Sequence, residues 1–180
     1  ANDFGYSKKP NETMKTWNRN EVLSDIVWQI RRMKPDIIIN RFKDDTSREN
    51  HGHHTSSAIL SAEAFDLTNR RDIFPEQLKL VDPWQARRLY FNTIWWFYGS
   101  EEAFNKIDKS KMVTMDAGVY YPWLGKSNGE IAAESRSMHR CQGMGALGTR
   151  GSSLEYLDLL KGDKATSPEN PFAGIDITWN

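Results

Sequence analysis

Three consecutive isoleucines, Ile37–Ile39, stand between Pro35-Asp36 and the polar pair Asn40-Arg41, and this run constrains the fold more than any other stretch. A short, continuous β-branched run suits a strand buried on both faces of a parallel sheet. Just upstream, Val22, Leu23, Ile26, Val27 and Ile30 recur at helical spacing, with Asn20 placed to cap the start. Arg31, Arg32 and Lys34 crowd the last turn, where cations favour the helix dipole, and Pro35 stops the helix. Beyond the isoleucines a polar loop leads into a second helix over about His54–Thr68. Helix, buried strand, loop and helix in that order predict an α/β fold with a mostly parallel sheet. A helix feeding a parallel strand is normally the second half of a βαβ unit. Residues 1–19 read as polar and irregular, without a strand. The expectation is therefore a single domain over 1–180 whose first strand or strands lie in an upstream segment of the protein.

Further along, the pattern predicts a turn-rich segment over Asn69–Pro75 and a second buried strand over Arg88–Phe97, rich in aromatic and β-forming residues. A short helix at Glu101–Ile107 and a third strand at Met112–Met115 follow. Tyr120, Tyr121, Pro122 and Trp123 form an aromatic loop closing on Gly125-Lys126. Ser127-Asn-Gly-Glu130 is a capping box and opens a helix reaching to about Gln142. Gly143–Gly151 holds four glycines, but no strand runs straight into it and no helix start clearly follows, so it is not a nucleotide fingerprint. Leu154–Leu160 is compatible with strand or helix. The run 162–180 reads as a linker followed by an edge strand or the start of a further domain.

Composition narrows the partners. Lysine plus arginine number 24 and aspartate plus glutamate 24, so the formal charge is zero and there is no cationic footprint for nucleic acid or a polybasic membrane surface. No apolar stretch approaches the roughly 20 residues of a membrane span. The single cysteine, Cys141, excludes an internal disulfide.

Chemistry concentrates in the loop after the isoleucines. Three of the four histidines, His51, His53 and His54, fall within four residues at the start of the second helix. Loops at the carboxyl ends of strands are where α/β sheets build sites, and neutral imidazole is both metal ligand and acid/base near neutral pH. His51 and His54 stand as H-x-x-H, on one face once the helix has begun. Asp44, Asp45 and Glu49 are the nearby carboxylates, read singly as a solvated acidic loop.

The run from Ile30-Arg-Arg-Met-Lys-Pro-Asp-Ile-Ile-Ile through Arg41-Phe42 to His51-Gly-His-His54-Thr-Ser-Ser-Ala58 resembles the PIG-L/LmbE-like zinc-dependent N-deacetylases. Downstream, Asp116–Ser127 and Glu130–Gln142 look like a long-chain, mostly bacterial and often exported branch of that family. The resemblance implies a Rossmann-like three-layer sandwich and hydrolysis of the amide of an N-acetylglucosamine-type group on a small glycoside or glycolipid. It implies Zn2+, or another divalent metal in the same ligands, bound by His54. His51 corresponds to the group that polarises or protonates around the tetrahedral intermediate. His139 and Gln142 match a His-x-x-Gln signature, with His139 either at the substrate or a plain surface residue. Arg41 either faces the sugar or oxyanion or closes a structural ion pair. Trp95 and Trp96 read as core, while Tyr120, Tyr121 and Trp123 are open between sugar stacking and an ordinary loop.

Two departures stand out. The family usually has Pro-Asp between the two histidines, where this chain has Gly52-His53. The family's early His-Pro-Asp-Asp type motif, source of two zinc ligands and the general base, has no counterpart here. An upstream segment of the same protein is expected to supply them. Two rival readings remain: a non-catalytic carbohydrate-binding piece, and a metal-dependent esterase or phosphatase built from Asp44, Asp45, His51 and His54.

Overall fold

The structure is a computed structural model and describes residues 4–44, 51–142 and 145–178. It is a mixed α/β fold around a four-stranded sheet. The chain opens with α1 (Pro10–Thr16), then α2 (Arg19–Met33), β1 (Ile37–Asn40) and α3 (Gly52–Leu67). Next come β2 (Arg88–Thr93), α4 (Glu101–Lys106) and β3 (Val113–Asp116). The hairpin strands β4 (Tyr120–Tyr121) and β5 (Lys126–Ser127), helix α5 (Asn128–Ser137) and the long β6 (Leu154–Gly162) complete it. Among the described residues no helix is long and apolar enough to cross a membrane.

The order across the sheet is β1-β2-β6-β3. β1 and β2 run parallel, joined through α3, as the isoleucine run and its flanking helices imply. β6 lies antiparallel to both β2 and β3. The sheet is thus mixed rather than mostly parallel. The difference comes from Leu154–Gly162, whose local pattern left strand and helix open: the chain returns after α5 and inserts between β2 and β3, against their direction.

Helices cover one face of this sheet. Leu23, Val27 and Ile30 of α2 pack on Leu60 and Ala64 of α3, while Ala62 and Phe65 of α3 bury Leu89. Ile38 joins both clusters from β1. On the other face Tyr90, Val113 and Leu157 form a cluster covered by the segment around Ala165. β1 is the outermost strand among the described residues and Ile39 is 53% exposed, so the isoleucine run is not buried on both faces as its continuous apolar pattern implies.

Several local expectations are corrected. Residues 10–16, read as irregular, form α1, with Pro10 at its first turn and the Glu12 carboxylate accepting the Lys8 amide at 2.7 Å. The cap of α2 is Asn18, whose side chain accepts the Glu21 amide, rather than Asn20. β2 ends at Thr93, and Trp95–Tyr98 turn into a 3-10 helix closed by Gly99 at φ +86°. Trp95 and Trp96 are consequently 44% and 52% exposed instead of core. α5 stops at Ser137, whose hydroxyl donates to the Ala133 carbonyl and accepts the Ala146 amide.

Arg31 does not trail into solvent with Arg32. It is fully buried and donates to the carbonyls of Thr68, Phe74, Arg70 and Ile73 and to the Gln77 side chain. A guanidinium with five donors is suited to such a cluster of loop carbonyls. The segment expected as a linker is tied down in the same way. Arg88 is buried and donates to the carbonyls of Asp163, Lys164, Pro171 and Ala173. Residues 172–178 form turns and irregular chain rather than an edge strand. The Pro168 carbonyl accepts the Thr114 amide and so occupies part of the free edge of β3.

Candidate functional site

Parallel pairing of β1 and β2 brings their carboxyl ends together, and the residues that follow each strand meet there. Arg41 and Phe42 come from β1, Ile94, Trp96 and Phe97 from β2, His51 and His54 from the start of α3, and Arg136 from α5. They line one cavity of about 590 Å³.

His51 is the N-cap residue of α3, and His54 lies on its first turn. Their rings are 5.2 Å apart between centroids and nearly parallel, at 10°. Phe42 stacks on the other face of His54 at 4.0 Å, and Tyr6 meets His51 edge-on at 5.0 Å. His53 points elsewhere: its Nδ1 lies 3.0 Å from Ser7 Oγ and its ring 4.5 Å from that of Phe4. Helical rotation accounts for the split, since neighbouring residues project about 100° apart whereas i and i+3 share a face. His54 is held below the ordinary imidazole range, first by desolvation and then by the charges His51 and His53 would carry. His54 is nevertheless exposed, with the Phe42 ring stacked on it. A lowered pKa favours the neutral ring, the form that binds a metal.

Gly52 is explained by the segment that passes over it. Its amide donates to the Ser7 carbonyl at 2.8 Å, and a Cβ at this position would meet the Lys9 carbonyl oxygen at 2.4 Å. The residues between H-x-x-H thus serve the docking of residues 4–16 rather than the orientation of His51.

Arg41 makes no structural ion pair among the described residues; it donates to the Asn92 side chain on β2. His139 lies past the end of α5, is exposed, and is not on the cavity wall. The side chain of Gln142, and Asp45 and Glu49, are outside the described residues; Asp44 is exposed. Sequence reasoning passed over Phe42 and Arg136 and assigned Trp96 to the core. Phe42 and Arg136 carry no local signal of their own, and the aromatic run after β2 continues a strand pattern, which hides the turn that exposes Trp96.

A metal needs several donors converging on one point. Lone pairs of imidazole lie in the ring plane, and two nearly parallel rings do not aim theirs at a common ion. His54 fits as one ligand, with His51 beside it. Among the described residues no three His, Cys, Asp or Glu side chains converge as a metal site. No protein-family model matches the chain, and no curated protein matches it either.

Proposed function

We propose that this cavity is part of the substrate pocket of a metal-dependent hydrolase that removes an N-acyl group from an N-acetylglucosamine-type glycoside or glycolipid. The observation that supports the reading is the convergence of His51, His54, Arg41 and Trp96 at the carboxyl end of the parallel pair. A bound zinc would lower the pKa of its water and polarise the acyl oxygen. His54 is its one ligand from the described residues. His51, in its cationic form, donates to the oxyanion or to the departing amine. Arg41, braced by Asn92, faces the acyl oxygen or a sugar hydroxyl, and Trp96 offers a flat surface to a sugar ring. His139, exposed and off the cavity wall, takes no part in this chemistry. The remaining ligands and the general base come from an upstream segment. Its strand pairs with the open edge of β1 and its helices cover Ile39, giving a Rossmann-like three-layer sandwich in an exported protein.

Zinc titration and acetate release test this together. The chain alone is expected to take up zinc weakly, and His54→Ala to remove that uptake. In the protein that includes the upstream segment, acetate release from N-acetylglucosaminides requires His54, and Arg41→Ala raises KM. Zinc uptake unchanged by His54→Ala would overturn the assignment. Sugar binding that ignores chelators and survives His54→Ala would identify a carbohydrate-binding module instead. Tight zinc binding lost in Asp45→Ala would point to the esterase or phosphatase arrangement.

A further inference from the structure

A second cavity, of about 240 Å³, lies on the opposite face of the sheet, between the residues leading into β3, Leu159 of β6 and the segment 164–168. Tyr90 stands on its wall and is 1% exposed. The Tyr90 hydroxyl has no hydrogen-bond partner among the described residues. A buried hydroxyl left unmatched is destabilising, and a ligand oxygen in the cavity would match it. Its neighbours explain the lack: Val113, Leu157, Leu159 and Ala165 offer no side-chain acceptor. Burial raises the phenol above its ordinary range, so it stays protonated and can donate.

The rest of the wall has a consistent character. Lys111 and Lys164 line it with Thr166, and no carboxylate does among the described residues. Met112, Val113 and Leu159 supply an apolar side. Cationic and hydroxyl donors facing an apolar wall, without an acidic residue, select an oxyanion carrying a short apolar stem.

We propose that this cavity is a binding site for a small amphiphilic oxyanion, a phosphate monoester or a carboxylate. The Tyr90 hydroxyl donates to one of its oxygens, Lys111 and Lys164 balance its charge, and Leu159 and Val113 hold its stem. The site is separate from the histidine cavity and does not depend on the hydrolase reading.

Butyl phosphate, butyrate and butylamine are the probes, titrated into the chain while backbone amide shifts are followed by NMR. The expected result is saturable binding of one or both anions, perturbing Val113 and Leu159, with no binding of butylamine there. The arm that binds more tightly tells phosphate from carboxylate. Tyr90→Phe is expected to weaken binding about tenfold while leaving the free chain at least as stable, because the unmatched hydroxyl is gone. Should Tyr90→Phe unfold the chain, Lys111→Ala with Lys164→Ala carries the same test at the rim. Three outcomes overturn the proposal: no saturable binding of either anion, equal affinity in Tyr90→Phe, or perturbations confined to Arg41 and His54.

Discussion

At the scale of single residues, the histidine cluster divides by direction. His51 and His54 face the cavity, and His53 and Gly52 hold the N-terminal segment. Gly52→Ala therefore tests docking rather than chemistry. Its new Cβ would be forced against the Lys9 carbonyl and Ser7 Oγ, neither of which is the loose end of a long side chain. Overpacking of this kind costs about 1–3 kcal/mol. Denaturant unfolding should show that loss, and amide exchange should quicken over residues 4–16 before it does elsewhere. His54 carries a pH prediction. Its folded pKa lies below the ordinary 6.5, so the folded state takes up the proton less readily than the unfolded one. The resulting contribution to stability is present above the unfolded value and is lost as pH falls toward the folded value. An NMR titration should place the His54 midpoint below that of a free histidine. Phe42→Ala should move it upward, because the stacked ring is part of what desolvates it. A midpoint that stays put in Phe42→Ala would assign the depression to the neighbouring histidines alone.

At the scale of elements, α5 shows how far local chemistry can be read. Ser127 Oγ accepts the Glu130 amide and the Glu130 carboxylate accepts the Ser127 amide at 2.9 Å, the reciprocal cap that the spacing predicts. Tertiary folding adds Arg150, which pairs with the same carboxylate at 2.9 Å. The Arg150 hydrogen bond, followed by the Ser127 amide, holds the Glu130 carboxyl down to about 2. A depressed carboxylate contributes its stability above the unfolded value of 4.5, and that contribution is lost as pH falls toward 2. Amide protection in the first turn of α5 should accordingly drop between these limits, and Glu130→Gln should make it flat over the same range. β2 shows the opposite case. Aromatic and β-branched residues continue past Thr93, so nothing in the local pattern ends the strand there. The 3-10 turn and Gly99 redirect the chain, and this redirection carries Trp96 to the cavity.

At the scale of the whole molecule, two buried arginines bind irregular chain to the regular core. Arg31 holds the loop after α3, and Arg88 holds the run from Asp163 to Ala173 against β2. Arg88→Met keeps the bulk but leaves four carbonyls without their donor, a loss of about 3 kcal/mol. Hydrogen exchange should show residues 163–173 opening together, while the α2–α3 cluster stays protected; uniform loosening would mean that Arg88 supports the sheet as a whole.

What the sequence determined by itself was local. Ile37–Ile39 specified a strand though not its partial exposure, the i, i+3, i+4 apolar spacing specified α2, and Ser127 with Glu130 specified the start of α5, because each signal acts within one or two turns of chain. His51, His54 and Arg41 were legible as candidates for the same reason: they flank the end of that strand. Only the tertiary structure decided that β6 enters antiparallel, that Arg31 and Arg88 are buried, and that Phe42, Trp96 and Arg136 share a cavity with the histidines. These depend on contacts between residues far apart in the chain, where the free energy of pairing and burial outweighs any preference a short stretch carries.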